Sequence, residues 1–146
     1  AADLKGFRNF YELENKGKLK KKVTLGYMMR FHPVIQAVKS IIESKELGKI
    51  LHARATSGFY LPYWHPKEDY RDFYMSSRAQ GGGVLLDTSH EIDYLTWLIG
   101  GVESVYGTIQ HVSDLDIYAD DLTRISGRTK QNIQFDIHLD LLMKYF

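Results

Sequence analysis

Three ionisable side chains follow closely after a run of three glycines at positions 81–83. They are Asp87, His90 and Asp93, each three residues from the next. Residues three apart on an α-helix lie on the same surface, because the helix turns about 100° per residue. A histidine beside a carboxylate can have its tautomer fixed and can then transfer a proton. A general acid/base, here His90 flanked by the two aspartates, can be built in this way.

A single helix must position these side chains. The glycine run supplies a flexible turn before it, and Gly100-Gly101 supplies a stop after it. Tyr94 and Trp97 lie on or near the face that carries His90, which favours a cleft over a solvated surface. A solvated face with an aspartate near the positive end of the helix dipole is the competing interpretation. Apolar residues recur at helical spacing at Leu85, Ile92, Leu95, Leu98 and Ile99.

The remaining periodicity predicts two further helices and several strands. One amphipathic helix is expected within Ala1–Gly17, and another begins at Pro33 and ends near Gly48. The acidic residues between positions 114 and 121 predict a solvated turn. Strands are predicted at Val23–Met29, Ile50–Tyr60, Val102–Val112, Leu122–Arg128 and Asn132–Leu142.

A loop over residues 61–74 crowds aromatic and charged side chains around two prolines. Trp64, His65 and Tyr70 offer ring faces of the kind that bind a sugar, adenine or nicotinamide ring. Arg71 can pair bidentately with a phosphate or carboxylate. The loop is therefore a candidate substrate site, and an aromatic cluster that only pins a long loop is the alternative.

Composition excludes several classes of function. The length of 146 residues suits one domain, and 44% of the residues are hydrophobic. The formal net charge of +1 gives no strong electrostatic field that would favour binding to nucleic acid or to a membrane surface. There is no cysteine, so disulfides and thiolate metal sites are excluded and a reducing cytoplasm is expected. No apolar run approaches a membrane span.

Two segments resemble the glucose–fructose oxidoreductase / inositol dehydrogenase (Gfo/Idh/MocA) family. Its Gly-x-x-x-Arg-Phe-x-Pro segment is matched by Gly26, Arg30, Phe31 and Pro33. Its glycine turn, Asp and His-x-x-Asp are matched by residues 81–83, 87, 90 and 93, although the family usually separates the first Asp from the His by four residues instead of three. The string from Tyr60 to Arg71 is similar to members associated with surface-polysaccharide sugars.

The resemblance implies an α+β substrate domain with helices on one face of a largely antiparallel open sheet. Residues 1–32 would be the C-terminal end of a dinucleotide-binding domain, including its last helix and strand, and residues 33–146 an incomplete substrate domain. The dinucleotide fold and its catalytic lysine would precede residue 1, so this fragment alone is expected to be inactive. The open sheet face would form a homo-oligomer interface.

The implied activity is NAD- or NADP-dependent dehydrogenation of a sugar, cyclitol or nucleotide-sugar hydroxyl. His90 would be the acid/base, oriented by Asp87 or Asp93, and Asp93 would also hold a substrate hydroxyl. Arg30 would face the cofactor crevice. The substrate would contact Trp64, His65, Tyr70 and Arg71.

Two other classes of function remain open from the sequence. The chain could be a non-catalytic sugar-binding or oligomerisation module, in which the aromatic loop and the open sheet are the working parts. It could also be a metal hydrolase that uses Asp87, His90 and Asp93 as ligands. Three ligands at i, i+3 spacing on one helix, with no further histidine from elsewhere in the chain, are weak evidence for a metal site. No bound metal is therefore expected.

Overall fold

A computed structural model describes residues 4–19 and 22–144 of the chain. The predicted N-terminal helix is confirmed, although its first three positions lie outside the described residues. No helix in these ranges is long and apolar enough to cross a membrane. The helices are α1 (Leu4–Asn15), α2 (Pro33–Ser44), α3 (Leu61–Trp64), α4 (Val84–Asp87) and α5 (His90–Ile99), with 3-10 turns at Met28–Phe31, Tyr70–Asp72, Tyr74–Ser76 and Arg78–Gln80. The strands are β1 (His52–Gly58), β2 (Val102–Gln110), β3 (Leu122–Thr129) and β4 (Gln134–Asp140).

The four strands form one open sheet in the order β1-β4-β3-β2. The pairs β2–β3 and β3–β4 are antiparallel, whereas β1 runs parallel to β4, with Ala55 opposite Ile137. Antiparallel neighbours can be joined by a short turn, but a parallel neighbour needs a long crossover. Helices α3, α4 and α5 lie within that crossover, together with β2 and β3. The predicted α+β class with a largely antiparallel sheet is confirmed.

One face of the sheet is buried and the other is accessible. In β4 the side chains of Phe135, Ile137 and Leu139 are buried, while the intervening positions are more exposed. This alternation is the period of two expected of a half-buried strand. Helix α5 packs against β1 and contributes Leu95 and Ile99 to the same core. The helices therefore cover one face, as predicted, and hold the site above it.

The strand predicted at Val23–Met29 is wrong. Residues 22–27 have no regular secondary structure, and Met28–Phe31 is a 3-10 turn. A strand requires a neighbour to accept its hydrogen bonds, and no described strand pairs with this segment. Its apolar side chains remain exposed, with Leu25 at 77% and Met28 at 70%.

The single helix predicted over Leu85–Ile99 is interrupted. Helix α4 ends at Asp87 and α5 begins at His90, because Thr88 leaves the helical conformation at φ −96° and ψ 29°. The hydroxyl of Thr88 donates to the carbonyl of Val84 at 2.6 Å, a local bond that competes with helix continuation. Asp87 and His90 therefore lie on different helices, and the i, i+3 relation between them fails.

The glycine run is a close-packed turn, not only a flexible one. The amide of Gly82 donates to Ser77 and that of Gly83 to Met75, each at 3.0 Å. Gly83 has φ +98°, in the left-handed region that glycine tolerates best. A Cβ atom at Gly82 would collide with the backbone carbonyls of Tyr74 and Met75. The turn thus presses the 74–75 backbone against the start of α4.

We predict that Gly82→Ala lowers the free energy of unfolding by about 1–3 kcal/mol, the usual cost of overpacking. Urea denaturation followed by tryptophan fluorescence measures the loss. Gly101→Ala is the matched control, because a Cβ atom there meets nothing within 4 Å. Equal urea midpoints for the two variants would contradict the packing of the turn.

Candidate active site

A cleft of about 320 Å³ lies where α4 and α5 meet the segment that precedes the first 3-10 turn. Its lining includes Tyr27, Tyr74, Asp87 and His90. The volume is at the lower end of the range of about 300–1,000 Å³ that small-molecule sites occupy. Two phenols, a carboxylate and an imidazole therefore converge on a space that fits one ring-sized ligand.

His90 is the first residue of α5, and its two ring nitrogens differ in environment. The Nδ1 atom is buried and has no hydrogen-bond partner among the described residues. Nε2 is therefore the nitrogen through which a ligand in the cleft can exchange a proton. The ring of Tyr27 packs against the imidazole at a centroid distance of 5.8 Å and an interplanar angle of 85°.

No hydrogen bond joins Asp87 to His90 in the described part of the chain, although one of the two predicted arrangements has Asp87 orient His90. Its Oδ1 accepts a hydrogen bond from the hydroxyl of Tyr74. This bond, with partial burial and the negative charge of the carboxylate, raises the pKa of Tyr74 to about 12. The pair places a neutral phenol and a carboxylate side by side on one wall of the cleft.

Among the described residues, Asp93 likewise has no hydrogen bond to His90. Its Oδ2 accepts from Arg30 Nε at 2.7 Å and its Oδ1 from Arg30 Nη2 at 2.6 Å, a bidentate pair. The Asp93 side chain is only 9% exposed. The hydrogen bond to Asp93 raises the pKa of Arg30. Arg30, predicted to bind cofactor, thus has two of its nitrogens engaged within the chain.

The predicted substrate loop contacts mainly itself. Trp64 packs on Phe59 with ring centroids 4.6 Å apart, and His65 packs on Phe73 at 4.8 Å. Tyr70 lines a separate cleft of about 550 Å³. No hydrogen bond, ion pair or ring contact joins Trp64, His65, Tyr70 or Arg71 to His90 in the described ranges. These contacts favour the interpretation of an aromatic cluster that pins the loop.

Arg71 is also engaged locally. Its Nε donates to Asp69 Oδ1 at 2.9 Å, and the bidentate contact lowers the pKa of Asp69 to about 2. A second carboxylate, Asp116, lies 3.9 Å from the Arg71 Nη1 atom. An anionic ligand at Arg71 would have to compete with these two carboxylates.

The predicted solvated acidic turn is wrong in part, because two of its aspartates are structural. Asp121 is fully buried and accepts from the amides of Val112 and Ser113. Asp120 supports the start of α4, since its carbonyl accepts from Val84 and its Oδ2 from Leu85, each at 2.9 Å. Sequence reasoning missed this role because the partners are 35 residues apart.

Tyr27 and Tyr74 are the other site residues that the sequence did not reveal. Tyr27 lies inside the matched Gly-x-x-x-Arg segment, which is the only signal that could have singled it out. Tyr74 is the last residue of the aromatic loop, but nothing in its local sequence indicates a bond to Asp87. Within residues 4–19 and 22–144, no group of three or more His, Asp or Glu side chains is arranged to hold a metal ion.

We predict that Asp87→Ala returns the Tyr74 pKa from about 12 toward the ordinary tyrosine value of about 10. NMR titration of ¹³Cζ-labelled tyrosine measures the change. The folded-state pKa is raised, so the stabilisation from this bond is complete below pH of about 10 and is lost as the pH rises through about 12. Asp114→Asn, at a different cleft, should leave the Tyr74 titration unchanged. A Tyr74 titration that Asp87→Ala does not alter would exclude the bond.

Solved structures share this arrangement of helices and sheet. The WlbA dehydrogenases of Bordetella pertussis and Chromobacterium violaceum, both in complex with NADH and UDP-GlcNAcA, align with TM-scores of 0.77 and 0.78. Each is 21% identical, and the alignments cover 98% and 99% of this chain and 40% of each of those chains. The myo-inositol 2-dehydrogenase of Lactobacillus plantarum aligns with a TM-score of 0.63 at 19% identity, over 79% of this chain and 34% of that one. The chain therefore spans well under half the length of these proteins.

No curated protein sequence matches the chain. A family model, in contrast, matches the sequence directly. The model for the GFO/IDH/MocA C-terminal domain matches residues 35–145, which is most of the chain. The expected family is thus confirmed: the chain belongs to the GFO/IDH/MocA family and contains its C-terminal domain.

Proposed function

We propose that this chain is the substrate-domain part of a nicotinamide-dependent oxidoreductase that acts on a hydroxyl of a sugar, cyclitol or nucleotide sugar. The observation that carries the proposal is the imidazole of His90 in a cleft that two phenols and a carboxylate also line. Membership of the GFO/IDH/MocA family supports the reaction class. The UDP-GlcNAcA bound to the two WlbA dehydrogenases supports a nucleotide sugar within that class.

The residues of the chain would handle the proton of the reacting hydroxyl. NAD or NADP, when bound, accepts the hydride that leaves the carbon or returns it in the reverse direction. As the carbon–hydrogen bond breaks, the hydroxyl proton passes to His90 Nε2, and the alcohol becomes a carbonyl. His90 then serves as general base for oxidation and as general acid for reduction.

The described residues fit one edge of a cofactor site. The cleft is sized for one ring, Tyr27 and Tyr74 supply aromatic walls, and Arg30 remains 40% exposed beside its partner Asp93. Arg30 would hold its own segment in place and offer its remaining N–H groups to the cofactor. The choice between NAD and NADP would lie with a domain outside these residues.

Asp87 and Asp93 would support the proton transfer indirectly, through residues that they hold in place. Asp87 fixes the hydroxyl of Tyr74 on the cleft wall, and Asp93 anchors the first turn of α5 through Arg30. We also propose substrate contacts at Asp93, Trp64, His65, Tyr70 and Arg71. They would serve the part of the ligand beyond the reacting hydroxyl.

We propose residues 1–32 as the end of a dinucleotide-binding domain and residues 33–146 as the substrate domain. The exposed Leu25, Met28 and Phe31 support this division, because apolar side chains that are about 70–77% exposed suit a contact with a further domain. Since that domain would hold the cofactor, the chain alone would not turn over substrate. The proposed setting is the reducing cytoplasm, which suits a chain without cysteine.

We predict that His90→Ala in the gene product that contains this chain lowers kcat by about 10²–10⁴-fold, the usual contribution of a general acid/base. Steady-state kinetics with NADH or NAD and candidate nucleotide sugars measure it. His111→Ala, a histidine outside the cleft, is the control and should leave kcat unchanged. A His90→Ala protein with native kcat would remove the acid/base assignment. Ligand binding without turnover in the native protein would favour the non-catalytic binding module.

We propose that the open sheet face joins two copies of the chain. Arg54 and Arg124 on that face lie beside Asp136 in a cleft of about 420 Å³. A two-fold axis can place the arginines of one copy against Asp136 of the other. A face that carried charges of one sign only would instead repel its copy across the axis.

We predict that Arg124→Glu weakens this association. Light scattering after size-exclusion chromatography should show a dimer or larger assembly for the native gene product and a smaller species for the variant. Arg8→Glu on α1, away from the sheet, controls for the change in net charge. A native monomer, or an assembly that Arg124→Glu leaves intact, would contradict the proposed interface.

A further inference from the structure

His90 lacks the hydrogen bond that usually fixes a catalytic imidazole. For Nε2 to accept a proton, the neutral ring must carry its hydrogen on Nδ1, since a neutral imidazole has one donor and one acceptor. That Nδ1 atom is buried, and no described residue accepts a hydrogen bond from it. The carboxylates of Asp87 and Asp93 are bound elsewhere, Asp87 to Tyr74 and Asp93 to Arg30, and that of the adjacent Glu91 bonds to Ser57. Some other contact must hold the ring.

Tyr27 is the aromatic residue that contacts the imidazole. The two rings are nearly perpendicular, at 85°, with centroids 5.8 Å apart. In this T-shaped arrangement the edge of one ring meets the face of the other, and an aromatic face is electron-rich. A ring N–H directed at such a face makes a weak but real interaction. Tyr27 can thus support an Nδ1–H group without being a hydrogen-bond acceptor of the ordinary kind.

The backbone of Tyr27 is strained, which indicates that its side chain is needed where it is. Its φ of +29° and ψ of +59° lie in the left-handed region. The other described non-glycine residues with positive φ are Lys45, which caps the end of α2, and Asn132, in the turn between β3 and β4. Those are ordinary places for that conformation. Tyr27 instead precedes a 3-10 turn, and strain of this kind clusters at functional sites.

Contacts of Arg30, in the 3-10 turn that follows Tyr27, hold the strained conformation. The amide of Arg30 donates to the carbonyl of Tyr27 at 3.1 Å, and the Arg30 side chain is fixed by Asp93. The carbonyl of Arg30 in turn accepts from the Gln36 side chain on α2. Asp93 and His90 lie on the same turn of α5. The pair Arg30–Asp93 therefore sets the distance between the Tyr27 ring and the imidazole.

We propose that Tyr27 is a positioning residue for His90, whose ring it holds in the Nδ1–H tautomer so that Nε2 stays free to accept a proton. The consequence for turnover rests on the proposed function, whereas the contact itself does not. The ring carries the effect, because it is the ring of Tyr27 that contacts the imidazole. Tyr27→Phe should therefore preserve the role, and Tyr27→Leu should remove it.

The first test is independent of activity. Two-bond ¹H–¹⁵N NMR spectra of this chain report the tautomer of the neutral His90 ring. We expect mainly Nδ1–H in the native chain and in Tyr27→Phe, and a shift toward Nε2–H with broader ring signals in Tyr27→Leu. Tyr118→Leu is the control, since Tyr118 is 86% exposed and lies outside the cleft.

Tyr27→Gly separates positioning from folding, because glycine adopts the left-handed conformation without strain. We expect this variant to be no less stable to urea than Tyr27→Leu and yet to lose the native tautomer. A native chain that is mainly Nε2–H, or a Tyr27→Leu spectrum that matches the native one, would overturn the proposal.

The second test is kinetic and uses the full gene product. Tyr27→Leu should lower kcat by about tenfold to a hundredfold with little change in KM, as expected for a misplaced catalytic group. Tyr27→Phe should restore kcat to within about twofold of the native value. A loss confined to KM would overturn positioning in favour of direct substrate contact. If His90→Ala retains activity, the proposed function fails, and the NMR result still decides the role of Tyr27.

Discussion

The bidentate contact between Arg30 and Asp93 joins parts of the chain that are 63 residues apart. It fixes the segment before α2 to the first turn of α5, and the side chain of Trp97, one turn further along, extends the contact. The Arg30 guanidinium lies 5.6 Å from the Trp97 ring centroid and the Lys39 ammonium lies 4.5 Å from it. Cations over an indole face are attracted to it. Three elements are thus held together at the edge of the cleft that contains His90.

The opposite edge of the cleft depends on the glycine turn and on Asp120. The turn brings the backbone at Tyr74 and Met75 against the start of α4, so the Tyr74 hydroxyl reaches Asp87. Asp120 accepts the first free amides of α4, which are the groups that a short helix cannot satisfy by itself. The site is therefore assembled from distant segments, each fixed by a small number of directional bonds.

The sequence was sufficient for the fold but not for the partners within the site. Strands β1 to β4 and helix α2 were predictable because alternation and helical spacing are local properties that burial imposes directly. The strand at Val23–Met29 was wrong because strand formation depends on a neighbour. His90 was predicted from its spacing and lines the cleft, whereas the partners of Asp87 and Asp93 lie elsewhere in the chain. Pairing across such distances leaves no periodicity to detect.

The order of the strands affects when, during folding, the sheet beneath α5 is complete. The register joins His52 of β1 to Gln134 of β4, so the first of the four described strands pairs with the fourth. Contacts of such long sequence separation form late, because the entropy of closing the intervening chain must first be overcome. Helix α5, which packs on β1, has no complete sheet beneath it until β4 has left the ribosome. The support beneath α5, the helix that carries His90, is thus complete only once β1 and β4 have paired.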